Sequence, residues 1–336
     1  MSTEFQPLVS VVIPAHNVEG YISSCVRSVL EGDYSNIELV IIENGSTDRT
    51  GAICDEEATR DSRIRVYHTP GQGVSVARNI GIQHSAGKYI CFVDGDDLVT
   101  RSYVQYLEHG MSHDNVDVAV SMPVISFTSE SETEDWRDQK PVNSGVYNGE
   151  QAVESILTYK TTIGCYSKMF DLSFLRRNSI EFIESLFIGE GFNFNVKAFS
   201  KADKVFMSNK KIYFYRVNNP NSAMTKVDQK KIRNGLNALE HLEQTLTPRS
   251  QSVDDALSYA KWHTSFDFLM SMLAGQRTNE DTELFKALVR DSRGKVTISF
   301  KVSIGAKERV KAILASISPV ITGKVINHFR KRKFSE

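Results

Sequence analysis

From Val9 to Val120 the chain alternates short apolar runs with longer stretches of helical periodicity, and this alternation narrows the fold more than any other feature. Val9-Ser10-Val11-Val12-Ile13 is a β-rich run closed by Pro14; Ile37 to Ile42, Ile64 to Tyr67 and Tyr89 to Val93 are three more. Between the first two, apolar residues come in pairs four apart (Tyr21/Ile22, Cys25/Val26, Val29/Leu30), which predicts one face of a helix. Gly45-Ser46-Thr47-Asp48 supplies a turn and cap candidates for a second helix through Ala58, and Val74 to His84 predicts a third. The run Tyr89-Ile90-Cys91-Phe92-Val93 is apolar throughout, as a strand buried on both faces requires. A β-α-β-α-β-α-β order of this kind predicts an α/β fold with a doubly wound, mostly parallel sheet.

After Val116 to Val120, a further strand, the pattern breaks. Ser129 to Lys140 is acidic and almost without aliphatics, which predicts a mobile surface loop. Helical periodicity returns at Gln151 to Tyr159 and around Phe192, Val196 and Phe199, and Lys211 to Tyr215 predicts a strand. From Gln229 to Arg290 the chain reads as helical, an appended C-terminal bundle.

Charge and cysteine usage exclude several classes. Forty Lys and Arg against 41 Asp and Glu leave a formal charge of −1, so no nucleic-acid footprint is expected over the whole chain. Cys25, Cys54, Cys91 and Cys165 lie far apart, as buried thiols of a reducing compartment do, and not as a disulfide framework or zinc site. Met1 to Pro7 has no secretory pattern and no apolar run is long enough to cross a bilayer, so a soluble, cytoplasmic chain is expected.

In doubly wound sheets, ligands bind beyond the carboxyl ends of the strands. Polar residues follow strand one (His16, Asn17), strand two (Glu43, Asn44) and strand four (Asp94, Asp96, Asp97), so three strand ends converge on one edge. Asp94-x-Asp96 is suited to a metal-bridged diphosphate. Carboxylates cannot hold a phosphate directly, and Mn²⁺ or Mg²⁺ takes one or two carboxylates plus phosphate oxygens. Such an acidic tripeptide is common on surfaces; its position after a buried strand is what favours function.

Four ordered blocks carry a resemblance. They are Val9 to Asn17, Glu43-Asn44-Gly45-Ser46-Thr47-Asp48, Gly73 to Asn79, and Phe92-Val93-Asp94-Gly95-Asp96-Asp97. Together they resemble family 2 glycosyltransferases of the GT-A fold, bacterial polysaccharide type, with a weaker likeness through Gly189-Glu190-Gly191 and Tyr215-Arg216 to about residue 225. The resemblance implies a GT-A nucleotide-sugar transferase domain over 1–225, followed by a helical extension over 226–294 and a basic tail over 295–336. It implies an inverting enzyme that moves a hexosyl or hexosaminyl group from a nucleotide-sugar donor to a saccharide or lipid-linked acceptor.

Carried onto this chain, Pro14, Ala15, His16 and Asn17 line the nucleoside pocket. Glu43 and Asn44 take the place of the family's acidic pair. The amide of Asn44 stands where a carboxylate usually meets uracil; its oxygen can still accept from the ring N–H, so a UDP-sugar is the expected donor, the alternative being that Asn44 shapes the turn. Arg78 and Gly95 fall at the nucleotide, with Arg78 alternatively a helix-surface ion pair. Arg216 and Ser222 fall on a lid over the diphosphate, or on an ordinary polar loop. Asp94 also belongs to the donor site, with Asp94 and Asp96 as metal ligands. The general base is expected at Glu190. The family's following aspartate is replaced by Gly191, and Glu190 could instead favour a helix N-terminus; Asp171, Glu181 and Glu184 remain substitutes. Lys168 lies in a family-like stretch on the acceptor side.

Between Lys295 and Lys333 there are ten Lys or Arg residues and one acid, Glu308. Val310, Ile313, Leu314, Ile317 and Val320 recur near helical spacing. Such a segment fits an anionic inner leaflet, or else packs as a solvated helix on the bundle. Two other functions are weighed. One is a non-catalytic nucleotide-sugar binder that partners another transferase. The other is a nucleotidyltransferase, which would need a Gly- and Arg-rich first loop where Pro14-Ala15-His16-Asn17 stands.

Overall fold

The computed structural model describes residues 6–134, 140, 143–219, 228–275, 277–293 and 296–333. The chain divides into two compact units, Met1–Ala152 with Thr161–Thr225 and Val153–Lys160 with Lys226–Glu336.

The first unit opens with β1 (Val9–Ala15), α1 (Ile22–Leu30), β2 (Ile37–Asn44), α2 (Thr50–Arg60), β3 (Ile64–Thr69), α3 (Val74–His84) and β4 (Tyr89–Phe92). The elements expected from periodicity are all present, and α3 has the predicted bounds. On α1 the stripe Ile22, Cys25, Val26 and Val29 is buried, as the four-residue spacing requires. No side chain caps α2; Asp48 instead accepts from Thr50 N–H and Glu19 N–H, closing the turn before the helix. Next come β5 (Leu98–Val99), α4 (Tyr103–Met111), β6 (Val116–Ser121), β7 (Ile125–Phe127), α5 (Ser131–Glu134), β8 (Ser144–Asn148) and α6 (Gly149–Leu157). They are followed by β9 (Lys168–Asp171), α7 (Leu172–Arg177), α8 (Glu190–Lys201), β10 (Lys204–Ser208) and β11 (Tyr213–Arg216).

The main sheet has the order β3-β2-β1-β4-β9-β6-β10-β8. β1 runs parallel to β2, with Val9 beside Ile37 and Ala15 beside Glu43, and parallel to β4, with Val12 beside Phe92. Only β9 and β8 pair antiparallel to their neighbours, so the sheet is mostly parallel, as expected. Val11, Ile13, Leu39, Ile41 and Cys91 are fully buried between its helical layers. A second sheet, β5-β11-β7, brings β11 against the residues that follow β4. All four cysteines are free and buried.

The acidic segment after β7 departs from expectation. Ser129 to Glu134 is ordered around α5, because Glu132 accepts from Thr128 N–H, Thr128 Oγ1 and Ser129 N–H. Residues 135–139 lie outside the described residues.

In the second unit the helical stretch resolves into α9 (Gln229–Thr245), α10 (Gln251–Ala274) and α11 (Thr282–Asp291). It continues as α12 (Ile298–Lys301), α13 (Ala306–Ile317) and α14 (Pro319–Lys333). Asp228, Ser250 and Asp281 cap the first three through their side-chain oxygens. α14 lies on α10 where Gly323 faces Leu273 and Met270, and Asn327 Nδ2 donates to Met270 O. Ala312 and Ala315 are the buried residues of α13, while Val310, Ile313, Leu314 and Ile317 are exposed, as are Ile321, Val325 and Phe329 on α14. Among the described residues no helix is long and apolar enough to cross a membrane.

Candidate functional site

The carboxyl ends of β1, β2 and β4 meet, and each turn is built by a few side chains. After β1, Asn17 adopts φ 51°, and its Oδ1 accepts from Thr47 N–H at 2.8 Å, tying the first turn to the second. His16 is exposed, and its Nδ1 lies 2.9 Å from Asn44 O, where it can only donate. Ala15 is fully buried and Pro14 partly so.

After β2, Glu43 accepts from Ser46 N–H at 2.6 Å and faces His68 Nδ1 at 3.2 Å. Burial works against its charge, but these partners outweigh it and hold the carboxyl below its ordinary value. Asn44 is buried, and its Oδ1 accepts from Thr69 Oγ1 at 3.0 Å and Gln72 N–H at 3.1 Å. Thr69 Oγ1 also lies 3.2 Å from Glu43 O, so its single hydrogen serves two acceptors, and Gln72 N–H is the undivided donor to Asn44 Oδ1. Gly45 takes φ 67°, and a Cβ there would come within 2.7 Å of Gly71 N, so only glycine lets the two loops touch.

After β4, the three aspartates separate into different roles. Asp97 is buried, taking Tyr213 Oη–H at 2.8 Å and Arg216 N–H at 2.8 Å. Burial pushes it well above the usual carboxylate range, and the charges of Asp96 and Asp94 push the same way. It fastens the second sheet to the end of β4. Asp94 Oδ1 receives Arg78 Nη2 at 2.7 Å, and Asp96 Oδ2 receives Asn219 Nδ2 at 2.7 Å. Burial raises Asp96 too; the Asn219 bond opposes this and the Asp94 charge adds to it. Gly95 sits close under β1, where a Cβ would meet Pro14 O at 3.2 Å.

Arg78 is the hub. It projects from α3 with 6% of its side chain exposed, over the Phe182 ring at 5.3 Å. While Nη2 holds Asp94, Nη1 holds Glu190 Oε1 at 3.0 Å. Burial disfavours its charge, but Cys165, Asp94 and Glu190 outweigh that and keep the guanidinium protonated. Arg78 is thus a buried bridge between two candidate site carboxylates, not a helix-surface pair. Glu190 begins α8 after Gly189, which has φ 82°. The positive φ lies at Gly189 and not at Gly191. A Cβ at Gly191 would meet Cys165 N at 3.1 Å, Ile163 O at 3.2 Å and Gly164 Cα at 3.3 Å, so the helix backbone is closed against the 163–165 loop where the family aspartate would project.

That loop is held from beneath. Lys168 is fully buried, and its Nζ donates to Gly164 O at 2.7 Å, Thr162 O at 2.9 Å and Thr162 Oγ1 at 3.2 Å. Burial pushes its amine down to about 7. It is an internal anchor and not a solvated lysine. Asn195 Nδ2 adds bonds to Ile163 O and Gly164 O at 2.9 Å each. Asp171 caps α7, accepting from Phe174 N–H at 2.7 Å, which occupies one substitute base; Glu181 and Glu184 are exposed. Arg216 reaches Asp96 O through Nε at 2.7 Å. Ser222 lies outside the described residues.

Among the described residues, no group of three His, Cys, Asp or Glu side chains converges as an all-protein metal cage. The donor set suits a hard cation that completes its shell with phosphate and water. Asp94 and Asp96 are two carboxylates at a strand end, and Asp94 raises Asp96, a repulsion that a cation between them would relieve. Sequence reasoning missed Asn219 as a partner of Asp96, Glu130 as a partner of Arg216, and Tyr213 as the support of Asp97. Only the register of β11 brings them there.

A family model described as Glycosyl transferase family 2 matches residues 10–180. The uncharacterized glycosyltransferase EpsJ of Bacillus subtilis (strain 168) is 34% identical over 64% of this chain and 62% of that protein. Glycosyltransferase GlyA of Streptococcus pneumoniae serotype 4 is 28% identical over 62% of this chain, which spans only 30% of GlyA. The S. aureus TarS 1-349 structure in complex with UDP-GlcNAc superposes with a TM-score of 0.65 at 16% identity, covering 97% of this chain and 92% of that one. The mannosyltransferase PcManGT from Pyrobaculum calidifontis, in complex with GDP-Man and Mn²⁺, superposes at 0.57 with 14% identity, covering 97% and 88%. These structures share the fold, and the family model spans just over half of the 336 residues. The chain belongs to glycosyl transferase family 2.

Proposed function

We propose that this chain is an inverting glycosyltransferase that moves a sugar from a nucleotide diphosphate donor, a UDP-sugar first, to a saccharide or lipid-linked acceptor in surface polysaccharide synthesis. The observation that carries this reading is Arg78, which joins Asp94 and Glu190 at one strand edge. Asp94 and Asp96 would hold a Mn²⁺ or Mg²⁺ ion, and the chemistry such an ion supplies is positive charge against the negative charge that grows on the leaving diphosphate. Arg78 keeps Asp94 in place and brings a fixed positive charge to the same edge. Glu190 takes the proton of the acceptor hydroxyl as that oxygen attacks the anomeric carbon, and the electrons of the breaking C–O bond pass to the diphosphate.

The neighbours solved with UDP-GlcNAc and with GDP-Man and Mn²⁺ support a nucleotide-sugar donor and leave the base open. The engagement of Asn44 Oδ1 by its own loops makes the uridine preference the part of this reading most exposed to test. The exposed apolar residues of α13 and α14, set among lysines and arginines, support work at the inner face of the cell membrane.

A second reading, a nucleotide-sugar binder that serves another transferase, is favoured by the closed backbone at Gly191. The two separate in one assay. The purified full chain is offered UDP-, GDP- and dTDP-sugars with Mn²⁺ or Mg²⁺, and donor turnover is followed. Turnover of at least one donor is expected, and Asp96→Asn should lower it about 10³-fold, the order of a lost metal contact. The same variant should weaken UDP binding only when metal is present. Equal UDP affinity of the wild type with and without metal would remove the metal from this reading. Binding without turnover of any donor, alone or with acceptors, would leave the binder.

A further inference from the structure

We infer that Glu130 is a built-in stand-in for the donor's diphosphate: it neutralises Arg216 until the donor arrives and then yields the guanidinium to the phosphates. The inference rests on the reading of Arg216 as a donor-site residue, and its own basis is the way Arg216 is held.

Arg216 ends β11, and its guanidinium lies 4.5 Å from the ring centroids of both Tyr21 and Phe127. Nε donates to the backbone oxygen of Asp96, next to the candidate metal ligand itself, and Nη2 donates to Glu130 Oε1 at 3.1 Å. Only 5% of the Arg216 side chain is exposed, against 43% for Glu130. Burial makes an unpaired charge costly, and that cost falls on the enclosed partner. Here the cation is fixed and the anion is not. When Glu130 is displaced, water solvates it at little cost, whereas Arg216 needs an anion at all times.

The arrangement also aims Glu130. Phe127 pairs with Arg216 in the register of β7 and β11, and Val217 N–H donates to Phe127 O, so the end of β7 tracks the end of β11. Three residues on, Glu130 turns back: its carbonyl accepts from Thr133 N–H, and Oε2 takes Ser24 Oγ–H at 2.9 Å. A carboxylate with one oxygen on a guanidinium and the other on a serine hydroxyl presents what a phosphate group would present: two anionic acceptors toward donors fixed on separate elements. Asp96 is covered in a parallel way by Asn219. Donor binding is then an exchange of anions on one buried arginine, and Glu130 sets how tightly a donor must bind to win it.

The test measures binding of UDP, GDP and dTDP, each with Mn²⁺, to the full chain by calorimetry. Glu130→Gln keeps the shape and removes the charge; the nucleotide that binds the wild type should bind about three- to tenfold tighter, the scale of one partly exposed ion pair. Ser24→Ala, which frees the carboxylate without removing it, should move affinity the same way by less. Glu132→Gln, an acid two residues on that bonds Thr128 and Ser129 instead, should change nothing. A gain in affinity cannot come from damage to the fold, so a merely structural Glu130 would not produce it. Unchanged or weaker binding in Glu130→Gln overturns the exchange while leaving the transferase reading intact. An equal gain in Glu132→Gln would trace the effect to overall charge and overturn it too. Should none of the nucleotides bind the wild type, the donor reading itself falls and the exchange with it.

Discussion

The strand ends of the first unit and the last two helices of the second treat charge in opposite ways. At the strand ends, ionic groups are matched inside the protein: Arg78 with Asp94 and Glu190, Arg216 with Glu130, Glu43 with His68. Along α13 and α14 the balance is one-sided, with Glu308 the single acid against eight basic residues. That acid is already taken by Lys311 at 2.5 Å. The apolar groups are reversed as well. Those under the strand ends are sealed, as the cluster of Phe92, Phe170, Phe182 and Phe194 illustrates. Those of the last helices, Ile317 and Phe329 among them, face outward. Matched charges over a sealed base suit a site that exchanges internal partners for a small, highly charged ligand. Unmatched cations beside open aliphatics suit a broad anionic surface with an apolar interior.

The largest effect that would break this contrast is expected at Glu190. Glu190→Gln should lose about 10²- to 10⁴-fold in transfer to acceptor, the usual worth of a general base, with donor affinity near wild type. The substitution is gentle on the hub, since the amide oxygen of glutamine can still accept from Arg78 Nη1. A folded variant that binds donor and transfers at more than a tenth of the normal rate would pass the base to Glu181 or Glu184. A variant that melts early would mean that Arg78 needs the full charge, and that the pair is structural. Initial rates and a thermal melt on one preparation decide between the two.

Five strands of the main sheet, β1 to β4 and β6, were legible because they are apolar runs and the helices between them carry a four-residue stripe, signals that need only near neighbours; β8 and β10 gave no such run. β9 was not legible either: Lys168-Met169-Phe170-Asp171 offers one lysine and one aspartate around two apolar residues, and nothing local says that the lysine is buried. What makes it so is a set of acceptors from one loop, the carbonyls of Thr162 and Gly164 and the Thr162 hydroxyl. The candidate site was legible as a list and not as a wiring. Asp94, Asp96 and Asp97 are chemically identical in the motif, and only β11, whose Tyr213 lies 116 residues beyond Asp97, makes the third a fastener. Arg78 meets Glu190 across 112 residues, a pairing that no window of sequence contains. Asn44 could be read either way from its side chain, and its bonds to Thr69 and Gln72, 25 and 28 residues on, lie outside any short window of sequence.

The surface half of the comparison can be broken without touching the site. Ile317→Asp with Phe329→Asp places two charges on the exposed face, at positions 74% and 64% exposed, so the fold should be undisturbed. Burying one such side chain contributes about 1.5–3 kcal/mol and each nearby charge about 1 kcal/mol, so with two side chains lost, partition onto vesicles rich in phosphatidylglycerol should fall by at least about a hundredfold. High salt should weaken the wild type only in part, because the apolar share is not screened. If the double variant sediments with vesicles as well as the wild type, the face is not a membrane surface. If it instead changes the oligomeric state in solution, a second copy covers it.

The smallest expected effect sharpens the site half. At Gly191 the question is whether the chain lost its aspartate and kept the space, or lost both. An added Cβ would stand 3.1 Å from Cys165 N and 3.2 Å from Ile163 O, both backbone atoms. Those atoms cannot swing aside as a side chain would, since Lys168 and Asn195 clamp the same loop from two directions. Gly191→Ala should therefore cost about 1–3 kcal/mol, the usual price of overpacking, against the small gain that alanine brings to a helix. For a unit of this size that is a fall of about 2–4 °C in melting temperature per kcal/mol. Lys168→Met removes buried hydrogen bonds and lowers stability by itself, but in that background adding Gly191→Ala should cost less than it does in the wild type, because the clamp is already loosened. Should Gly191→Ala melt at or above the wild-type temperature, the loop yields, an acid fits at 191, and Gly191→Asp becomes a fair test of whether the family's base can be restored. A clear loss, smaller when Gly191→Ala is added to Lys168→Met than to the wild type, would mean that the backbone has closed over that position and that any base in this chain must be found elsewhere, with Glu190 first.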